Sequence, residues 1–362
     1  MESIPTRHRA HDALGLLVQC RPGFEADAGQ ELQASPTRLA AAVHGQPQSG
    51  FVFLALEQAL PHDELRRRLD VSRLVFARQS CQVLAVIDDL PERDRLTPLV
   101  QRIEGFQERF SALLLETPDT NEGKQQSGFL RRFGPLLEAA LGKAGCLRPD
   151  SPHLPSLHVF FVGARQVWLG VSLASEGSAW PMGIPRLRMP KEAPSRSTLK
   201  LAEAILTLLS PDEQKSTLRP GLTAVDLGAA PGGWSWQLVS RGLRVTAIDN
   251  GPIAPSVTAT GLIEHLRADG LTWRPKKPVE WMVCDMVEQP RKVAERMATW
   301  FREGWCRNAV FNLKLPMKKR WQETLLALDL FANNAGEHDT LVIRARQLYH
   351  DREEITVYAS VE

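Results

Sequence analysis

Four titratable residues far apart in the chain, Lys200, Asp285, Lys314 and Glu354, each stand beside an apolar run. That position lets the protein tune a proton and still exchange it with a reactant. Lys314 follows Ala309-Val310-Phe311-Asn312-Leu313, and burial there lowers a lysine pKa from about 10.4 toward a useful range. Lys200 can serve as a neighbouring cation that lowers it further, while Asp285 and Glu354 can hold the two lysines. A lysine tuned in this way can take the proton of a poor nucleophile such as a ribose hydroxyl.

A glycine-rich turn supplies the second half of the chemistry. Ala224-Val225-Asp226-Leu227 runs into Gly228-Ala229-Ala230-Pro231-Gly232-Gly233, then a helix-compatible stretch, then Val245-Thr246-Ala247-Ile248-Asp249. Strand, turn, helix and strand closed by an acid make a βαβ nucleotide site. Asp249 stands 21 residues after Gly228, at the distance where a carboxylate accepts from both ribose hydroxyls. The glycines lack the G-x-G-x-x-G spacing of dinucleotide sites, and the loop lacks the lysine of a phosphate cradle. A stiff, uncharged loop suits a nucleoside with an amino-acid tail, namely S-adenosylmethionine. Methyl transfer from a sulfonium then needs little beyond an in-line nucleophile and a proton acceptor, because the cofactor carries the activated carbon.

The elements that must position these residues alternate as in a doubly wound sheet. Trp281 to Cys284 reads as a strand ending at Asp285, Arg291 to Trp300 as a helix, and Ala309 to Lys314 as a strand. Leu341 to Leu348 and Ile355 to Ala359 read as the last two strands. Asp249, Asp285 and Lys314 thus fall at strand carboxyl ends, where such sheets bind ligands. Ahead of them, Pro181 to Lys200 carries four prolines up to Pro194, and five Lys or Arg against one Glu from Arg186 onward. It reads as an extended basic segment leading into a helix with Ser197 as N-cap and Lys200 in the first turn.

Farther forward, Leu14 to Cys20, Phe51 to Leu56, and a hairpin of Leu157–Val162 with Val167–Leu173 read as strands, and Gly128 to Leu141 as an amphipathic helix. The charged stretch Asp88 to Asp94 reads as a boundary. The expected domains are therefore 1–92, 93–185 and 186–362. No catalytic pattern appears in the first two, so their expected work is to hold a macromolecule. The chain of 362 residues has a net charge of only +2, so any grip on nucleic acid comes from local patches. Five widely spaced cysteines without a C-x-x-C pair point to no disulfide framework and no metal. The start of the chain has no signal-peptide pattern, and no run is long and apolar enough for a membrane. A cytoplasmic protein, monomeric or weakly dimeric, is expected.

The order Lys200, Asp-Leu-Gly-Ala-x-Pro-Gly-Gly, Asp285, Lys314, Glu354 resembles the Lys-Asp-Lys-Glu tetrad of the FtsJ/RrmJ-type ribose 2′-O-methyltransferases. More narrowly, Pro194 to Lys200, Val283 to Met286, Phe311 to Lys319 and Ala345 to Glu354 resemble the RlmM family, bacterial enzymes that methylate a cytidine ribose in 23S rRNA. The resemblance implies a Rossmann-like class I methyltransferase domain with a mostly parallel seven-stranded sheet, preceded by ferredoxin-like and THUMP α+β domains. It implies that Ser197, Ala230, Pro231, Gly232, Gly233, Asp249, Asp269 and Asp285 bind S-adenosylmethionine and that Lys314 accepts the proton. Ala230 stands where some relatives carry Cys. Glu353 neighbours Glu354, and strand alternation lets only one of them face the site; Glu354 is chosen because a strand begins directly after it. Arg186, Arg188, Lys191, Arg196, Lys318, Lys319, Arg344 and Arg346 are expected to rim one cleft and hold RNA phosphates. The target nucleotide should be unpaired or splayed out.

Rival readings are weaker. Ser197-Thr198-Leu199-Lys200 matches a Ser-x-x-Lys nucleophile motif, but its usual partner motifs do not follow. Base methylation calls for an Asn/Asp-Pro-Pro-Tyr-like loop or a Cys nucleophile; Cys284 precedes Asp285 but reads as a buried thiol. A methyltransferase fold that binds RNA or aids assembly without activity, or one that acts on another RNA such as tRNA, remains the alternative.

Overall fold

A computed structural model describes residues 12–34, 39–173 and 176–361. The chain forms two compact units, residues 1–184 and 185–362.

The front unit is built on one seven-stranded sheet of β1 (Asp12–Gln19), β2 (Ala41–Gly45), β3 (Phe51–Pro61), β4 (Gln79–Ile87), β5 (Ala112–Glu116), β6 (Ser156–Phe161) and β7 (Val167–Ser172). Their order is β2-β3-β1-β4-β7-β6-β5, and only β5 and β6 run parallel. The two domains expected here on either side of residue 92 share this sheet, because β4 pairs with β7. One apolar cluster runs from Ala13 and Leu84 to Val171, with Leu99, Ile103, Leu137 and Leu141 packing from two helices, and a second gathers Leu17, Cys81, Val83 and Phe160. The charged stretch between the two halves is stitched to the β6–β7 turn: Leu90 is fully buried and its N–H bonds Arg165 O at 2.8 Å. Asp89 pairs with Arg165.

In the back unit, β8 (Thr223–Leu227), β9 (Arg244–Ile248), β10 (Ile263–Leu266), β11 (Val279–Cys284), β12 (Cys306–Lys314), β13 (Leu341–Arg346) and β14 (Glu354–Val361) form a mixed sheet. Its order is β10-β9-β8-β11-β12-β14-β13. The pairs from β10 to β12 are parallel, and β14 runs against both of its neighbours. Central strands covered on both faces need continuous apolar runs; Trp281 to Cys284 and Ala309 to Phe311 supply them and are buried without interruption.

Two local expectations change. Ser197 precedes the helix Thr198–Leu208 but does not cap it. Its backbone is already helical, φ −61° and ψ −22°, whereas a capping side chain needs extended backbone to reach back to the helix N–H groups. Its Oγ instead meets Ser195 Oγ at 2.7 Å. The proline-rich segment is irregular except for one 3₁₀ turn, Pro181–Gly183.

Candidate active site

All four tetrad residues meet at the carboxyl end of the back sheet. Lys314 is the last residue of β12 and lies opposite Glu354, the first residue of β14, in the antiparallel register. Asp285 follows β11, the parallel neighbour of β12 on its other side. Lys200, third residue of the helix Thr198–Leu208, reaches in from above: its Nζ lies 3.2 Å from Asp285 Oδ2 and 2.6 Å from Glu354 Oε1. Lys314 Nζ donates to Asp285 Oδ1 at 2.5 Å and to Glu354 Oε2. Each lysine thus bridges both carboxylates. The side chains are 5–22% exposed, so the square is largely dry yet open to a reactant. Glu353, the neighbour on the alternate side, pairs instead with Arg320 at 2.7 Å.

The sign of the lysine's tuning is opposite to expectation. Burial opposes the charge of Lys314, but the Asp285 and Glu354 carboxylates outweigh burial and hold its pKa above the ordinary lysine value. Lys200 adds a second cation but shares the same two carboxylates.

Sequence reasoning missed the support behind the square. Asn312 Nδ2 donates to Asp285 Oδ1 at 2.9 Å, and its Oδ1 accepts from Thr356 Oγ1 at 2.8 Å. Thr356 lies 3.0–3.1 Å from both oxygens of Asp351, whose pKa is raised well above the usual range by burial and then by the charge of Glu354. All three side chains are buried. The signal was two-residue spacing: Asn312 shares a strand face with Lys314, and Thr356 with Glu354.

The glycine-rich turn adjoins the tetrad. Gly228 has φ +73°, and a Cβ there would press on Met286, the residue after Asp285. Gly232, at φ +108°, opens the helix Gly233–Val239, a conformation that disfavours side chains. A Cβ on Gly233 would lie 2.3–2.4 Å from the hydroxyls of Ser197 and Ser195, so this backbone approaches the basic segment as only glycine permits. Trp234 Nε1 donates to Ser197 O at 3.0 Å, and Gln237 Nε2 donates to Thr198 Oγ1 at 2.9 Å. Asp249 closes the turn from β9: Oδ2 accepts the Ala230 N–H at 2.9 Å and Oδ1 the Gly251 N–H at 2.7 Å. Pro231 is exposed and its carbonyl accepts the Ala254 N–H. Asp269 lies on the turn after β10, exposed, with Oδ1 accepting the Leu271 N–H at 2.9 Å.

Of the expected rim, Arg186, Arg188, Lys191 and Arg196 are exposed ahead of the helix Thr198–Leu208, and Lys318 and Lys319 are exposed just past Lys314. Arg346 is half-buried on β13. Arg344 leaves the set: its guanidinium bonds Leu208 O and Glu213, both at 2.7 Å, and covers the Tyr358 ring. That side chain fastens a helix end to the sheet. Cys284 is fully buried, which pushes its thiol up to about 12 and removes it as a nucleophile.

A mixed sheet, parallel from β10 to β12, with a glycine turn after β8 and a largely buried lysine–carboxylate square at the carboxyl end of its parallel strands defines a class I methyltransferase fold. Residues 193–315 match the model of the FtsJ-like methyltransferases, residues 14–81 the RlmM ferredoxin-like domain, and residues 94–173 the N-terminal model of ribosomal RNA large subunit methyltransferase M. The proteins of that name from Azoarcus sp. strain BH72 and Aromatoleum aromaticum are 52% and 51% identical to this chain. The first aligns over 96% of both chains and the second over 100% of this one and 99% of its own. The namesake from Xanthomonas campestris is 52% identical over 95% of this chain and 99% of its own. The chain belongs to the ribosomal RNA large subunit methyltransferase M family and is an S-adenosylmethionine-dependent methyltransferase.

Proposed function

We propose that this enzyme methylates the ribose 2′-oxygen of a cytidine in 23S rRNA, with Lys314 as proton acceptor. The observation that carries the reading is the convergence of Lys200, Asp285, Lys314 and Glu354 beside the glycine turn. The residues there fit S-adenosylmethionine: Gly228 and Gly233 leave no room for a side chain, the positive φ of Gly232 disfavours one, and Asp249 presents a carboxylate at the turn. Ser197, Ala230 to Gly233, Asp249, Asp269 and Asp285 would hold it. When bound, it supplies a methyl group activated by a sulfonium.

The protein's own part is to place the ribose oxygen in line and remove its proton. Asp285 and Glu354 fix both lysine amines, Asn312 fixes Asp285, and Lys314 Nζ receives the proton as the oxygen gains its methyl. Lys314 can do so only after releasing the proton it holds at rest, so its raised pKa makes the reactive form scarce at neutral pH. Arg186, Arg188, Lys191, Arg196, Lys318 and Lys319 grip phosphates around the cleft. Residues 93–185 act as a THUMP-type RNA-binding domain, the target is an unpaired nucleotide, and the enzyme works in the cytoplasm. Exposed Val287 and Met317, at 91% and 76%, lie within three residues of Asp285 and Lys314 and offer apolar contact to that nucleotide.

Mapping ribose methylation on 23S rRNA from cells with and without the protein tests the reaction. One cytidine 2′-O-methyl group is expected to disappear; loss of a base methyl instead overturns the reading. With purified protein, Lys314→Ala is expected to slow transfer by about 10³-fold, in the range of general base catalysis, while S-adenosylmethionine binds as before.

A further inference from the structure

Beside the tetrad lies a cavity of about 510 Å³ that methyl transfer itself does not call for. Its walls are Tyr349 and His350, from the connection between β13 and β14; its apolar lining is Leu187, Met189 and Leu199; and Arg186 and Arg196 stand at it. The placement is tied to the tetrad at both sides, since Leu199 precedes Lys200 on one helix and the connection carrying Tyr349 ends at Glu354.

That connection is held in a fixed shape. Glu203, only 1% exposed and one turn beyond Leu199 and Lys200, accepts the backbone N–H of Tyr349 at 2.8 Å and of His350 at 3.0 Å. The same carboxylate lies 2.6 Å from His350 Nδ1. The two rings meet edge to face, centroids 5.2 Å apart at 84°, so the aromatic wall is set by backbone bonds to a buried acid. A half-buried phenol, an apolar lining and two guanidiniums combine a stacking surface with anion grips, the pairing that single-stranded nucleic acid requires. The volume lies within the range of small-ligand pockets.

We propose that this pocket takes one unpaired nucleobase of the substrate RNA, stacked on Tyr349, with an adjoining phosphate on Arg186 and Arg196. The proposal rests on the reading of the substrate as RNA. Bound there, the base anchors the strand within one helical turn of Lys200 and so helps to present a ribose to the tetrad. Tyr349 is thereby a positioning residue, felt in RNA affinity and not in the methyl-transfer step.

The test is direct binding, without turnover, of a fluorescent cytidine tetranucleotide and of the same ribose-phosphate tetramer lacking bases. Wild-type protein is expected to bind the intact tetramer about tenfold or more tighter, the scale of one base–aromatic stack. Tyr349→Ala is expected to lose most of that preference, and Tyr349→Trp to keep it. Equal wild-type affinity for the two tetramers, or an undiminished preference in Tyr349→Ala, overturns the proposal. Should Tyr349→Ala fail to fold, the wild-type comparison and Tyr349→Trp decide alone. Because no methyl is transferred, an inactive wild type that still prefers the intact tetramer refutes the reaction and leaves the pocket standing. An active wild type that binds both tetramers equally refutes the pocket alone.

Discussion

Within the front unit, Ser172 Oγ, His158 and Glu116 line up at 2.8 and 2.7 Å across three adjacent strands, β7, β6 and β5. In the back unit, Lys200, Lys314, Asp285 and Glu354 meet at comparable distances. By contacts alone the first cluster looks the more catalytic, since a serine, a histidine and an acid in line can make a nucleophile. Burial separates them. His158 and Glu116 are wholly enclosed, and Ser172 is 4% exposed. Glu116 spends its other oxygen on the Met182 N–H at 2.5 Å, so the trio ties a 3₁₀ turn to the sheet. The lysine–carboxylate square sits at strand ends, where the pleat stops and a substrate can enter. Polar side chains that are wholly enclosed fasten the fold; the same kinds of groups left partly open at the carboxyl edge of the back sheet can meet a reactant.

Breaking the closed cluster tests the contrast most severely. His158→Ala strips a buried carboxylate and a buried hydroxyl of partners, and is expected to destabilise the front unit by about 3 kcal/mol. Denaturant unfolding reads that loss, while the rate of methyl transfer per folded molecule at saturating RNA should stay at the wild-type value. A large drop in that rate would show that the two clusters do not divide as described.

A more gradual effect, spread over several pH units, is expected from a buried acid of the back unit that has no paired cation among the described residues. Asp226, 1% exposed, accepts from Ser235 Oγ at 2.7 Å, and burial pushes its pKa up to about 7. Between the unfolded value near 4 and that value, the native state holds a proton that the unfolded chain has lost. Stability therefore falls as pH rises through that window, by at most about 1.4 kcal/mol per pH unit. Asp226→Asn cannot titrate and should flatten the fall; urea midpoints measured from pH 4 to 7.5 check this. An unchanged slope in the variant would assign the pH dependence to other groups.

The strand-end acids and lysine were legible because a central parallel strand is a continuous apolar run, and the first charged residue after it marks the edge. Asp249, Asp285 and Lys314 were found on that ground, and Glu354 by the apolar run that follows it. The direction of the Lys314 shift was not legible, since it depends on how closely two carboxylates from distant strands approach the amine. Ser197 failed as a cap because the backbone before the helix is already helical, and Arg344 failed as a rim residue because Glu213 and Leu208 O claim it. The continuity of the front sheet was hidden by a charged, proline-containing stretch whose Leu90 is buried.

The central claim is that Lys314 takes the ribose proton from a resting state in which two carboxylates keep it protonated. The single-turnover rate of methyl transfer, measured from pH 6.5 to 9 with S-adenosylmethionine and RNA saturating, tests it most directly. The rate is expected to climb about tenfold per pH unit while the amine remains mostly protonated, and Lys314→Ala is expected to abolish the climb. A wild-type rate that does not change with pH, or the same climb in Lys314→Ala, would contradict the account.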